Sequence, residues 1–166
     1  MRYKILGLIA AVALVAACET ASEGGGAQTG GGATSATTSA GAIRPGSQED
    51  LVVNVGDRVF FDFDKFNLKP DARKTLEKQA AWLKANPSVR VTVEGHCDER
   101  GTREYNLALG ERRANSAKDY LVSLGVNPAR LKTISYGKER PVAMGSNEAA
   151  WTQNRRSVTV VSGAGS

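Results

Sequence analysis

The apolar residues of this chain fall into three successive patterns. Positions 5–13 form one apolar run behind Arg2 and Lys4, closed by Leu14-Val15-Ala16-Ala17-Cys18. The run is shorter than the roughly 20 apolar residues a membrane-spanning helix needs, and its charged start fits a secretory leader. Residues 19–47 are mostly Gly, Ser, Thr and Ala, with almost no large apolar side chain. Such a stretch cannot bury enough surface to offset the entropy of ordering it. It is expected to be a flexible tether with an r.m.s. span of about 30 Å over its roughly 30 residues.

From residue 51 to about 161 the apolar positions become periodic. Residues 51–55 give a short apolar start, and Gly56-Asp57 marks a turn. Residues 58–64, with Val59, Phe60, Phe61 and Phe63, carry a β-rich strand signal. Pro70 stands where a helix begins, a position at which its missing N–H does no harm. Ala72, Leu76, Ala80 and Leu83 then recur at helical spacing until Asn86-Pro87 stops them. Residues 89–94 alternate with period two, as a strand with one buried face does. A long helix is expected over 102–124, capped by Thr102 and ended by Gly125. Its core stripe is Leu107, Gly110, Ala114, Ala117, Leu121 and Leu124. The small residues in that stripe imply close packing on a sheet. Asn127-Pro128 turns the chain into a strand over 131–136. A loop over 137–145, a short helical turn at 147–154 and a last strand over 156–161 complete the order. The alternation implies an α+β fold, a two-layer sandwich with helices on one face of a mixed four-stranded sheet. The expected domains are a leader at 1–17, a tether from Cys18 to residue 50, a folded domain at 51–162 and a disordered tail at 163–166.

Charge and cysteines narrow the reading further. The formal net charge is +5, and loss of Arg2 and Lys4 with a leader leaves +3, too mild for a nucleic-acid face. Of the two cysteines, Cys18 follows small residues that resemble a bacterial lipobox. That resemblance implies a diacylglyceryl group on Cys18, cleavage before it and acylation of the new amino terminus. Each buried methylene contributes about 0.8 kcal/mol, and stable anchoring takes more than one chain, which a triacylated cysteine provides. Glu19, rather than aspartate, at the next position favours transfer to an outer membrane. Cys97 is left alone, so no internal disulfide is on offer.

The candidate chemistry is concentrated in Glu94-Gly95-His96-Cys97-Asp98-Glu99-Arg100-Gly101 and the helix that follows. His96 is the sole histidine and has too little company for a tetrahedral zinc site. Neighbouring Cys97 does not face it as a nucleophile pair would, and Asp98 and Glu99 are too close in sequence to flank a substrate. No catalytic set emerges, and no cofactor is expected. Asn106, Leu109 and Arg113 line one flank of the helix. Asp98 at its start and Arg113 two turns in offer a carboxylate and a guanidinium to a zwitterion. A plain Asp98–Arg113 salt bridge explains the same spacing equally well.

These segments, together with Glu104-Tyr105-Asn106, Leu109-Gly110-Glu111-Arg112-Arg113-Ala114, Ser135-Tyr136-Gly137-Lys138-Glu139-Arg140-Pro141 and Asn154-Arg155-Arg156-Ser157-Val158, resemble the peptidoglycan-associated lipoproteins of Gram-negative bacteria, within the OmpA-like C-terminal domain family. The resemblance covers about residues 55–161. It implies an OmpA-like fold and non-covalent, non-enzymatic binding of peptidoglycan through stem-peptide diaminopimelate. It assigns Asp98 to the diaminopimelate amine and Arg113 to its carboxylate. It adds Phe63 and Asp64 to the site, with Tyr105, Asn106 and Leu109 at the helix start and Arg156 from the Asn-Arg-Arg motif. It also implies a Tol–Pal role, with TolB as a competing partner, and an outer-membrane location facing the periplasm. A different OmpA-like anchor, from a secretion system or a motor, is the alternative. Cys97 departs from the small residue usual there. Alanine at Asp98 or Arg113 is expected to abolish wall binding and leave the fold intact.

Overall fold

The computed structural model describes residues 43–164. The expected leader, Cys18 and most of the tether lie outside the described residues. Structure begins ahead of residue 51. Ser47 caps a short helix, α1 (Gln48–Asp50), by accepting from the Asp50 N–H. The chain continues through one π-helical turn (Leu51–Val55), so the apolar start at 51–55 coils, burying Leu51 in the core with Val55 packed half-buried against it. The Asp50 carboxylate accepts from the Gly46 N–H, Asn54 Nδ2 and the indole of Trp82, each at 2.8–2.9 Å. Gln48 accepts the Val161 N–H at 2.7 Å.

The sheet has the order β1-β4-β2-β3: β1 (Arg58–Phe60), β2 (Val89–His96), β3 (Leu131–Gly137) and β4 (Arg156–Ala164). β4 runs antiparallel to β1 and β2, while β2 and β3 are parallel and joined through a helix, as a parallel pair requires. β1 is shorter than the aromatic run at 58–64 predicts. Beyond Phe61 the carbonyls of Asp62 and Lys65 bond to the Arg113 guanidinium instead of to a neighbouring strand. Tertiary hydrogen bonding thus overrides β-propensity there.

Two long helices cover one face, α2 (Pro70–Ala85) and α3 (Arg103–Ser123), with Thr102 capping α3 through the Tyr105 N–H as expected. Val91 and Val93 of β2 are wholly buried beneath Leu76, Leu83, Ala114 and Leu121. The buried stripe of α3 holds at Gly110, Ala114, Ala117 and Leu121 as the apolar spacing predicts, and it widens towards the amino-terminal end. Leu107 and Leu124 are only half-buried, whereas Asn106, Leu109 and Arg113 are buried. The alanines and Gly110 sit on the sheet as expected. A Cβ on Gly95 would come within 1.8 Å of the Gly110 carbonyl oxygen, so β2 and α3 meet there main chain to main chain. The short helix expected at 147–154 is α4 (Glu148–Asn154), capped by Asn147.

Candidate functional site

The site forms where β2 ends. The β2–β3 register shifts at Gly95/His96, and the Cys97 N–H makes a last bond to the Gly137 carbonyl at 2.8 Å. The chain then leaves the sheet over the amino-terminal end of α3. Gly101, at φ +88°, makes the return into the helix in a conformation that favours glycine. Asn106 holds this loop: its side-chain N–H groups donate to the Arg100 carbonyl at 2.8 Å and the Thr102 carbonyl at 3.0 Å. Lys138 grips the other side, donating to the Glu99 and Gly101 carbonyls.

Beneath the loop is a cavity of about 160 Å³. Seven of the eight binding residues read from the sequence line it: Phe63, Asp64, Asp98, Tyr105, Asn106, Leu109 and Arg113. Cys97, Arg100 and Gly101 complete the lining. Tyr105 donates its hydroxyl to the Asp64 carboxylate, joining the β1–α2 loop to α3. Asp64 has φ +58° and is the one residue other than glycine with positive φ among the described residues. Aspartate tolerates this left-handed backbone better than most residues.

Arg156 does not line the cavity. It lies on the opposite side of β4, donating to the Arg140 and Asn154 carbonyls. Its neighbour Arg155 points towards the site and donates to Asp98 Oδ2 at 3.3 Å, to Glu148 at 2.6 Å and to the Phe61 carbonyl at 3.1 Å. Arg155 caps the end of α4 and Arg156 is the first residue of β4, so the two side chains leave the chain on either side of that junction.

Asp98 and Arg113 share the cavity without pairing, so the salt-bridge explanation of their spacing falls away. Arg113 is 1% exposed and its guanidinium is spread over main chain. Nε donates to Lys65 O at 2.9 Å, Nη1 to His96 O at 2.8 Å and Nη2 to Asp62 O at 3.1 Å. Burial lowers its pKa below the ordinary arginine value. A guanidinium has five N–H groups, so these three bonds leave two that do not donate to main chain. Asp98 is bonded instead to Arg100 and Arg155. Burial pushes its carboxyl up, but the Arg100 side chain and N–H, with Arg155, outweigh burial and hold it below the usual carboxylate range. Both residues are therefore parts of the fold as well as of the cavity. Alanine at either would strand buried charges or carbonyls, a loss of several kcal/mol, so those variants are expected to lose stability as well as wall binding.

Cys97 is buried, with its thiol 3.3 Å from the Asn106 carbonyl, and burial raises its pKa to about 11. At neutral pH it is an inert thiol. His96 is 2% exposed and faces away from the cavity, stacked near Tyr136 with Nε2 3.3 Å from Glu94. Among the described residues no cluster of three or more His, Cys, Asp or Glu could hold a metal ion.

Arg100, Arg155 and Trp151 escape the sequence reading. Arg100 stands two residues from Asp98, a spacing that carries no face relation in an irregular loop. Trp151 comes from α4, more than 50 residues on, and donates its indole N–H to Glu99.

A four-stranded β1-β4-β2-β3 sheet, two covering helices and a charged cleft at the end of β2 define a small α+β binding domain. The OmpA family matches residues 60–155, more than half of the chain, and the chain belongs to that family. Within it, the similarity is to peptidoglycan-associated lipoproteins. That of Rhizobium meliloti (strain 1021) is 61% identical over 127 residues, 76% of this chain and 72% of the relative. That of Pseudomonas putida is 49% identical over 118 residues, 71% of this chain and 70% of the relative. The crystal structure of the peptidoglycan-associated lipoprotein from Burkholderia pseudomallei matches with TM-score 0.61 and 44% identity, over 63% of this chain and 88% of that one. The C-terminal domain of Helicobacter pylori MotB matches with TM-score 0.60 and 25% identity, over 64% of this chain and 84% of that one.

Proposed function

We propose that the protein anchors a membrane to the cell wall by binding peptidoglycan non-covalently, through the free end of stem-peptide diaminopimelate. The observation that carries this reading is the presence of Asp98 and Arg113 on one cavity. The side-chain end of diaminopimelate carries an ammonium and a carboxylate on one carbon. Asp98 is the acceptor for the first, and the Arg113 N–H groups that do not donate to main chain are donors for the second. Phe63 and Leu109 cover the methylenes, and Asp64 and Tyr105 close the rim. The names of the relatives support peptidoglycan as the polymer. Nothing in the reading requires a bond to be broken.

On the same reading Cys18 carries the lipid, residues 19–47 span the gap and the domain faces the periplasm from the outer membrane. The system served is Tol–Pal, with TolB as protein partner. The identity of 61% to a peptidoglycan-associated lipoprotein, against 25% to MotB, favours this over a motor component. No described helix is long and apolar enough to cross a membrane.

The test is co-sedimentation with purified wall. Wild-type protein should pellet with diaminopimelate-type peptidoglycan and not with wall that carries lysine at that position. Asp98→Asn keeps the shape and some hydrogen bonds of the carboxylate, so it should fold, and it should lose about tenfold or more in binding for want of the charge–charge pair. Equal sedimentation with both walls, or an Asp98→Asn protein that binds like wild type, would refute the reading.

A further inference from the structure

In this structure Asp98 already holds a cation. Its Oδ1 accepts the Arg100 main-chain N–H at 3.1 Å and Arg100 Nε at 3.2 Å. Its Oδ2 accepts Arg100 Nη2 at 2.7 Å and Arg155 Nη1 at 3.3 Å. The Arg100 guanidinium carbon also lies 4.0 Å from the ring centre of Phe63 and 4.0 Å from that of Trp151. An ammonium bound squarely on Asp98 and the guanidinium as it stands compete for the same oxygens.

The three guanidiniums around Asp98 differ in how firmly they are held. Arg113 and Arg155 donate to main-chain carbonyls, and both are buried. Among the described residues the Arg100 side chain donates to nothing but Asp98, and it is 31% exposed. It is the one of the three that can leave without unpairing main chain.

We propose that Arg100 is a specificity-determining residue: the ligand's ammonium replaces it on Asp98, and the freed guanidinium is received by the carboxylate on the same ligand carbon. This rests on the diaminopimelate reading above. The exchange turns one internal ion pair and one hydrated zwitterion into two ion pairs, with no charge left alone in the cleft. A lysine side chain brings an ammonium and no carboxylate, so it displaces Arg100 and leaves it only the two aromatic faces. A ligand with a carboxylate alone leaves the Asp98–Arg100 pair closed. Discrimination between diaminopimelate and lysine therefore lies partly in Arg100 and not only in Arg113.

Calorimetric titration of the folded protein with two soluble muramyl tripeptides, one ending in diaminopimelate and one in lysine, tests this. In Arg100→Gln the competitor is gone for both peptides, while the receiving cation is lost for diaminopimelate alone. The lysine peptide should then bind about tenfold more tightly than it does to wild type, and the diaminopimelate peptide should change by no more than about threefold, so the ratio narrows. Arg100→Lys, which keeps a cation, should retain most of the wild-type ratio. Equal changes for the two peptides, or no change in either, overturn the proposal while leaving the site reading in place. Wild-type protein that binds neither peptide overturns both. The Arg100 Nε–H resonance gives a check free of variants. It should move on adding the diaminopimelate peptide, and an unmoved resonance at saturation would mean that Arg100 stays on Asp98.

Discussion

At the scale of single residues, polar side chains in this domain are buried where they replace missing main-chain partners. Arg113 takes three carbonyls, two from the β1–α2 loop and one from the end of β2, and Asn106 takes two. Sequence spacing singles out both residues, but as ligand contacts. Their structural duty is hidden because main-chain carbonyls leave no mark on composition. Arg156 shows the converse. An Asn-Arg-Arg motif does not say which arginine faces in, and only the place where α4 ends and β4 begins does. His96 carries a titration consequence. Burial, and then the charges of Arg156 and Arg140, lower its pKa from 6.5 to about 4. The unfolded chain therefore takes up a proton between those values that the folded chain refuses. The contribution of His96 is complete above about pH 6.5 and drains away as the pH falls towards 4, by an amount on the order of 2–3 kcal/mol. Burial raises the pKa of neighbouring Glu94, which acts in the opposite direction. Urea unfolding of wild type and His96→Gln across pH 4–7 separates the two. The stability difference between them should shrink on acidification, and a difference constant with pH would contradict the assignment.

At the scale of elements, the strongest periodicities were legible. Alternation at 89–94 and the three-and-four spacing of α2 name the residues that meet in the core, and the cap at Thr102 stands where local chemistry puts it. Less legible were segments whose conformation is decided from a distance. The aromatic run after Phe60 reads as strand, yet Arg113 draws its carbonyls away. The apolar residues at 51–55 coil because Ser47 and Asp50 start a helix before them. The contact of β2 with α3 at Gly95 and Gly110 makes a sharp prediction. A methyl at Gly95 meets a carbonyl oxygen at 1.8 Å and cannot rotate aside. Gly95→Ala should therefore push α3 from the sheet and destabilise the domain by about 3 kcal/mol, at the upper end of overpacking costs. Thermal unfolding reads this directly, and a variant with an unchanged midpoint would show that the two elements can slide apart freely.

At the scale of the whole molecule, the fold could be read from the order of elements, while the composition of the cleft could be read only in part. Its walls come from the β1–α2 loop, the loop after β2 and the start of α3, while Trp151 of α4 backs the Arg100 guanidinium from outside that lining, and no local pattern ties α4 to the other three. The proposed anchor adds one test at this scale. Cys18→Ser should shift the protein from the membrane fraction to the soluble periplasmic fraction while leaving wall co-sedimentation unchanged. Continued fractionation with membranes would mean that the lipid reading of Cys18 is wrong.

The cluster around Asp50 has a mechanical meaning. On the proposed anchoring, a chain fixed to a membrane at one end and to a rigid polymer at its cleft is under tension whenever the two surfaces move apart. Force entering from the amino-terminal side reaches Gly46 first, and there it meets an N–H bonded to Asp50, whose carboxylate is also gripped by the Trp82 indole of α2. Gln48 ties the same segment to β4. The pull is thus shared at once between a long helix and an inner strand, and the first turn cannot peel away without loosening both.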